Sequence, residues 1–138
     1  MLSSYFKVDP KKRLPEAERY LQARQDVAFA YLFGSVARGS ATHLSDIDIA
    51  IYLTVQEFAE KRMKILGDLI DILKTDNIDL VILNTAPLSL KSKIIQTKKI
   101  LAENNPLMRH DFESHTLRAY FDFSKLEKRI LKNRYLHG

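Results

Sequence analysis

The sequence of 138 residues contains no cysteine. A disulfide scaffold and a thiolate metal site are therefore both excluded. No apolar run reaches the roughly 18–20 residues that are needed to span a bilayer. The first residues also lack the continuous apolar segment that is typical of a secretory signal. Because repeats, low-complexity segments and an interdomain linker are absent as well, we expect one cytoplasmic domain without membrane association.

The composition predicts a globular domain with enough core to fold alone, since 46% of the residues are hydrophobic and 28% are charged. The net charge is +5 and the pI is near 9.4. Two stretches are denser in basic residues: Lys91, Lys93, Lys98 and Lys99, and then Lys125, Lys128, Arg129, Lys132 and Arg134. Either stretch could contact nucleic acid or an acidic protein. Solvated helix faces are the simpler explanation, and no feature requires nucleic acid.

Two aspartates stand at the head of an apolar run, in the order Asp46, Ile47, Asp48. In a strand, residues i and i+2 point to the same face, about 6.5–7 Å apart along the chain. Asp46 and Asp48 would therefore project together, while Ile47, Ile49 and Ile51 point into a core. Carboxylates this close repel each other, and a divalent cation such as Mg²⁺ or Mn²⁺ removes that repulsion. The alternative is that these aspartates merely cap a strand at the solvent edge.

A glycine–serine turn precedes the aspartates, directly after the apolar run Val27 to Phe33. Gly34 lets the backbone turn sharply and approach a ligand closely. Ser35 adds a hydroxyl and an N–H, and a short helical turn from Val36 to Arg38 would aim further N–H groups at an anion. Arg38 supplies a fixed positive charge for a phosphate. The G-K-[ST] ending of a Walker loop is missing, and a plain strand-to-helix turn is the alternative.

A third carboxylate, Asp79, lies in the next apolar run, Ile78 to Leu83. It has the parity of Val81 and Leu83, and an aspartate on such a strand is costly unless it is paired or bound to a cation. The alternatives are that Asp79 sits at a fraying strand edge, or that Asp76 in the preceding turn takes this role. Three carboxylates that converge from neighbouring strands match a two-metal site for phosphoryl transfer.

Hydrophobic periodicity and turn signals predict the order of helices and strands. The predicted elements are a helix at Leu14–Gln25, a strand at Val27–Phe33, a strand at Asp46–Leu53, a helix capped by Thr54 with Glu57, a strand at Ile78–Leu83, a helix at Pro87–Thr97 capped by Thr85, a strand at Lys99–Glu103 and a helix from Pro106 to about Lys132. We interpret residues 1–138 as one minimal domain, with a core of about 14–104 and a C-terminal helix of about 106–132.

The long C-terminal helix carries an apolar stripe, formed by Met108, Phe112, Ala119, Phe123, Leu126 and Ile130. A second set of apolar residues, Leu117, Tyr120 and Phe121, widens this surface. One small sheet cannot cover so much apolar area, so we expect part of the helix to remain exposed as a partner-binding surface.

The order of Gly34 and Ser35, ten intervening residues, Asp46 and Asp48, and a later Asp79 resembles the signature of the polymerase-beta-like nucleotidyltransferase superfamily. More narrowly, YLFGSVARGSATHLSDIDIAIYL and NIDLVILNTAPLSLKSKII look like the minimal nucleotidyltransferases called MNT antitoxins, which are paired with HEPN-domain ribonuclease toxins. The resemblance implies an α/β (α+β) nucleotidyltransferase fold, with a small mixed β-sheet flanked by helices and a long C-terminal helix.

The resemblance also implies an activity, namely transfer of AMP from ATP to a tyrosine of the partner toxin, which neutralises the toxin. Carried over by position, Gly34 and Ser35 hold the triphosphate. Asp46 and Asp48 ligate two Mg²⁺ ions, and Asp79 ligates the catalytic one and helps to deprotonate the incoming hydroxyl. Arg38 is an additional phosphate contact that we infer from its charge. The alternatives are a small-molecule nucleotidyltransferase, such as one that modifies an antibiotic, and an antitoxin that acts by binding alone.

Overall fold

The computed structural model describes residues 9–40 and 46–137, with side chains as far as residue 134. A 3-10 turn at Pro10–Arg13 comes first. The described helices are α1 (Leu14–Gln22), α2 (Gly34–Arg38), α3 (Phe58–Leu73), α4 (Leu88–Thr97) and α5 (Pro106–His137). The described strands are β1 (Val27–Phe33), β2 (Ile47–Leu53), β3 (Ile78–Ile82) and β4 (Lys99–Glu103). The structure therefore confirms the predicted class, a mixed α/β domain with a long C-terminal helix.

The four strands form one mixed sheet in the order β3-β2-β1-β4. The central strand β1 pairs antiparallel with β2 on one side and with β4 on the other. β2 and β3 run parallel, and α3 makes the crossover that a parallel pair needs. The end of β1 thus lies beside the start of β2, which in turn lies beside the start of β3. All the predicted site residues come from this end of the sheet, where β1 ends and where β2 and β3 begin.

Helices cover the two faces of the sheet, and each face has its own core. One core is built with α1 and α3 and includes Ile47, Ile49 and Ile51, which are at most 2% exposed, as their alternation predicted. The other core contains Phe29, Tyr31 and Ala50 and is covered by α4 and α5. Since Asp48 alternates with these isoleucines and shares its parity with Ala50, it lies on the face of α4 and α5.

The first half of α5 is fixed to the sheet by aromatic and ionic contacts. The ring of Phe112 lies 5.5 Å from the rings of both Phe29 and Tyr52. Glu113 forms ion pairs of 2.6 Å with Lys98 and with Arg109. These contacts end near Thr116, the last buried residue among the described side chains of α5. The second half of the helix continues beyond the domain.

Several predicted boundaries differ from the structure. The first helix ends at Gln22 instead of Gln25, because the Arg24 guanidinium forms a bidentate ion pair with the carboxylate of Asp26. Thr54 is not a helix cap: its N–H donates to the carbonyl of Asp26 and its hydroxyl to that of Gln25, so it prolongs the strand pairing. The next helix therefore begins only at Phe58, without a side-chain cap.

Other boundaries shift by one residue or more. β2 begins at Ile47 and leaves Asp46 before the strand, and β3 ends at Ile82. Pro87 precedes α4, which has no side-chain cap from Thr85. α5 reaches His137, whereas Lys132 was the predicted end. The strands at Val27–Phe33 and Lys99–Glu103 are confirmed to the residue.

Two parts of the sequence interpretation lie outside the described residues. They are the N-terminal residues 1–8 and the segment 41–45 that leads from the glycine–serine turn to the aspartates. The assignment of residues 1–138 to one domain stays a prediction. Within the described helices, no stretch is both long and apolar enough to cross a bilayer.

Candidate active site

The turn after β1 brings the backbone of Gly34 against the side chain of Asp48. Gly34 has a φ of 71°, which disfavours any residue with a Cβ atom. A Cβ atom at Gly34 would lie 3.0 Å from Cγ of Asp48 and would overlap its Oδ2 atom. The contact follows from the sheet register, because Phe33 at the end of β1 pairs with Asp48. Glycine is thus required here by both conformation and space.

Gly34 is the first residue of the five-residue helix α2, which is followed by Gly39 in a left-handed conformation. The N–H groups of Gly39 and Ser40 donate to the carbonyls of Val36 and Ser35, respectively, and close the helix. Arg38, in the last turn, is exposed and close enough to Asp48 to lower the pKa of its carboxyl. The helical turn that was predicted from Val36 to Arg38 therefore begins two residues earlier, at Gly34.

Asp48 is a half-buried carboxyl whose pKa is raised above its ordinary value. Burial is the largest cause, and the charges of Asp79 and Asp46 add to it, while Arg38 acts in the opposite direction. Asp79 is directly opposite Asp48 in the parallel register of β2 and β3. Both Asp46 and Asp79 are exposed. The structure thus brings the three predicted carboxylates within electrostatic reach of one another, at the start of two neighbouring strands.

A cavity of about 330 Å³ opens beside this group and connects Asp48 to the glycine–serine turn. Its wall on the sheet side consists of Phe33, Gly34, Ser35, Arg38 and Asp48, and its opposite wall comes from α4, through Leu90, Lys93, Ile94 and Thr97. Asp46 and Asp79 do not line this cavity, although their charges act on Asp48, which does. Four of the six predicted site residues therefore share one opening.

Lys93 lines the cavity, although sequence reasoning had placed it only in a basic stretch. The two neighbouring lysines are engaged elsewhere: Lys91 lies 5.9 Å from the centre of the Phe112 ring, and Lys98 pairs with Glu113. Among the described contacts, the side chain of Lys93 makes no hydrogen bond or ion pair. Lys93 is exposed and lines the same cavity as Arg38. Lys93 lies three residues after Leu90 and four before Thr97, and this helical spacing was the signal that could have placed it on the same wall.

The donor set of the site fits hard divalent cations, because carboxylate oxygens are the ligands that Mg²⁺ and Mn²⁺ prefer. Among the described residues, however, no three acidic or histidine side chains are close enough together to hold a metal ion. The chemistry of these side chains nevertheless fits a divalent cation.

A larger cavity of about 560 Å³ lies between the middle of the sheet, α4 and α5. It is lined by Tyr52, Leu88, Lys91, Met108, Asp111, Phe112, His115, Thr116 and Ala119. None of the predicted site residues belongs to it. The glycine–serine turn and the carboxylates are therefore associated with the smaller cavity, which we take as the candidate active site.

Comparison with known proteins gives one family and a group of solved structures. The family described as "Polymerase beta, Nucleotidyltransferase" matches residues 16–107. None of the curated proteins matches the chain significantly in sequence. Several structural matches come from toxin–antitoxin structures, with 90–91% of this chain and 96–98% of the other chain covered.

Three of these structures illustrate the similarity. A toxin–antitoxin with AMP-PNP has a TM-score of 0.67 at 24% identity, over 91% of this chain and 98% of that chain. A tri-AMPylated HEPN toxin from Shewanella oneidensis in complex with an MNT antitoxin gives 0.61 at 22%, over 91% and 96%. The MntA–HepT toxin–antitoxin gives 0.60 at 22%, over 91% and 97%. At these identities the similarity shows a shared fold.

The contact between Gly34 and Asp48 predicts unequal effects of alanine at two glycines. Gly39 also has a positive φ, of 74°, but the space that a Cβ atom would occupy there is open. We expect Gly39→Ala to lower the free energy of unfolding by roughly 1–2 kcal/mol, from backbone strain alone. Gly34→Ala should cost clearly more, because it adds the overlap with Asp48. Urea unfolding of both variants measures the difference, and equal losses would contradict the close approach.

The raised pKa of Asp48 predicts that this carboxylate destabilises the fold at neutral pH. The folded state binds the proton more tightly than the unfolded state, so the cost is fully present above the folded pKa and disappears as pH falls below the ordinary value. We expect Asp48→Asn to raise Tm at pH 7, by up to about 3 °C. The gain should vanish near about pH 3–4.

Thermal unfolding followed by circular dichroism tests this at both pH values. The control is Asp71→Asn, an exposed aspartate of α3, which should leave Tm unchanged at pH 7. A lower Tm for Asp48→Asn at neutral pH would show that the carboxylate is stabilised by its surroundings, contrary to the argument above.

Proposed function

Because the chain belongs to the polymerase beta nucleotidyltransferase family, we propose that it is an antitoxin that transfers AMP from ATP to a tyrosine of a HEPN-domain toxin. The observation that carries this proposal is the cavity that joins Gly34, Ser35 and Arg38 to Asp48. One wall offers a backbone turn, a hydroxyl and a cation to phosphates, and a half-buried carboxylate lies beside them. This combination suits a nucleoside triphosphate better than an uncharged ligand.

The solved neighbours support the choice of substrate and partner. One was crystallised with AMP-PNP, an analogue of ATP, and another contains a HEPN toxin that carries three AMP groups. By analogy with these neighbours, we propose that this protein uses ATP as its substrate and a HEPN-domain protein as its acceptor. ATP is abundant in the cytoplasm, where we accordingly propose that the protein acts.

In the proposed complex, Gly34 and Ser35 hold the triphosphate from the sheet side. Arg38 and Lys93 contribute positive charge from opposite walls of the cavity. The positive charges of these two side chains offset the negative charge of the phosphates. The apolar side chains of Leu90 and Ile94 exclude water from the same wall, which strengthens these electrostatic contacts.

Asp46, Asp48 and Asp79 are the proposed ligands of two Mg²⁺ ions, with Mn²⁺ as a substitute. Asp46 and Asp48 would contribute to both positions and Asp79 to the catalytic one. When bound, such ions offset charge on the α-phosphate and on the pyrophosphate leaving group. The charges of Asp79 and Asp46 contribute to the raised pKa of Asp48. A bound cation would relieve this repulsion among the three carboxylates, which favours cation binding.

The proposed reaction forms one bond and breaks one. The tyrosine oxygen attacks the α-phosphorus, and the bond from that phosphorus to the oxygen shared with the β-phosphate breaks. Pyrophosphate leaves with that electron pair, and AMP remains on the tyrosine. The proton of the hydroxyl passes to Asp79, which is exposed at the open edge of the sheet and can release it to water. Positioning and electrostatics supply most of the catalysis.

Mass spectrometry of the cognate HEPN-domain protein tests the proposal. After incubation with this protein, ATP and Mg²⁺, we expect its mass to rise by whole AMP units. The variant Asp46→Asn/Asp48→Asn should lower the rate at least about 100-fold, while circular dichroism shows that it is folded. If the double variant still labelled the HEPN protein at the rate of the native protein, these carboxylates would have no catalytic role. Neutralisation without any mass gain would favour an antitoxin that acts by binding alone.

Lys93 gives a second test, because it is exposed and its side chain makes no hydrogen bond or ion pair among the described residues. We expect Lys93→Ala to weaken binding of ATP with Mg²⁺ about 5- to 30-fold, as for the loss of one charge-assisted contact of about 1–2 kcal/mol. The matched control is Lys99→Ala, which removes the same charge from an exposed position on β4, outside the cavity. Isothermal titration calorimetry measures both. Equal affinities of the two variants would remove Lys93 from the site.

A further inference from the structure

The second half of α5 carries large apolar side chains that the rest of the described chain leaves uncovered. We call residues 117–134 the distal surface. Five of its side chains are between 43% and 60% exposed: Phe121, Phe123, Leu126, Ile130 and Leu131. Phe123, Leu126, Ile130 and Leu131 lie on one side of the helix at 100° per residue. Exposed apolar side chains that share a face mark a surface that binds something.

The distal surface continues the side of α5 that packs on the domain. Met108 and Phe112 contact the core, and Thr116 is buried. Phe123 and Ile130 follow Thr116 at intervals of seven residues, which keeps them on the same side of the helix. The sequence pattern that buries the first half of the helix therefore runs on where the domain has no surface left to meet it. The expected exposed remainder of this helix is confirmed by the structure.

Charge indicates what kind of molecule covers this surface. The distal surface contains six basic side chains and two acidic ones: Arg118, Lys125, Lys128, Arg129, Lys132 and Arg134, with Asp122 and Glu127. None of them takes part in an ion pair within the described residues. A second copy of this chain would bring the same excess of positive charge against it. A face bordered by carboxylates would be attracted instead.

The apolar centre distinguishes a protein from a nucleic acid. Interfaces with nucleic acid are strongly polar as well as positively charged, whereas phenylalanine, leucine and isoleucine dominate here. A small cavity of about 240 Å³ adjoins the distal surface, between Leu88 and Ser89 of α4 and Tyr120 and Phe123 of α5. Such a cavity suits one apolar anchor side chain from a partner helix.

The position of this cavity connects the distal surface to the candidate active site. Helix α4 lines the small cavity with Leu88 and the active-site cavity with Lys93. These two residues are five positions apart, or about 7–8 Å along the helix axis. A protein that docks on the distal surface therefore lies close enough to bring one of its own side chains to the active site.

We propose that the distal surface is the docking site for an acidic, helical protein partner, which presents its acceptor side chain to the neighbouring active site. This inference rests on the proposed function, since the partner is then the HEPN-domain toxin. The toxin would supply an apolar helix face bordered by aspartate and glutamate. When the toxin docks on α5, one of its own side chains becomes the acceptor in the reaction.

Charged substitutions at the centre of the distal surface test this. Phe123→Glu and Ile130→Glu lie at exposed positions, so the fold should remain intact. We expect each to weaken binding of the cognate HEPN protein at least about 30-fold in isothermal titration calorimetry, while affinity for ATP with Mg²⁺ stays unchanged. Leu107→Glu is the matched control: it lies on the same helix and is 77% exposed, but outside the distal surface. It should bind the HEPN protein like the native chain.

The outcomes separate this inference from the proposed function. If the HEPN protein gains AMP but binds Phe123→Glu and the native protein equally, the docking site is wrong while the proposed function stands. If docking is lost as expected but no AMP is ever transferred, the proposed function fails and the docking site stands.

Three further outcomes would overturn a protein docking site. The first is binding of mixed-sequence single-stranded RNA that Phe123→Glu abolishes while the HEPN protein still binds. The second is binding of vesicles that contain phosphatidylserine, if Phe123→Glu abolishes it while the HEPN protein still binds. The third is a native dimer that Phe123→Glu converts to a monomer without any effect on the HEPN protein.

Discussion

The close approach of the Gly34 backbone to the Asp48 carboxylate is the constraint on which the site depends. Antiparallel pairing of β1 with β2 sets it, because the last residue of β1 lies opposite Asp48. A side chain at Gly34 would occupy the space of the carboxylate. The turn that faces the cavity and the carboxylate beside it are therefore one rigid unit, held by the hydrogen bonds of the sheet and not by a mobile loop.

Holding this unit together has a cost in stability. Asp48 is partly shielded from water and also lies near the charges of Asp46 and Asp79, and both effects disfavour its ionised form. A protein selected only to cover a partner would have no use for three mutually repelling carboxylates at one edge of its sheet. Their presence is what favours a role in chemistry, and the sheet tolerates them because the two flanking aspartates remain exposed.

The sequence predicted the architecture well, because its signals were local. Alternation in the run from Ile47 to Leu53 identified the buried face, and the apolar run from Val27 to Phe33 identified the central strand. The errors arose where distant groups compete for the backbone: Thr54 has the sequence pattern of a cap, yet it bonds to the carbonyls of Gln25 and Asp26. Lys93 was missed because sequence reasoning treated it only as part of a basic stretch; its spacing from Leu90 and Thr97 indicates the cavity only once α4 is known to pack there.

The parallel pairing of β2 and β3 limits how the chain can change its length. Asp48 and Asp79 meet because their strands are in register, and a shift by one residue would turn Asp79 to the opposite face of the sheet. A residue inserted into β3 ahead of Asp79 would have that effect. The turns on either side of α3 have no such restriction, because the crossover only has to return the chain to the same edge. Insertions and deletions should therefore accumulate around residues 55–57 and 74–76 and be excluded from the first residues of β3.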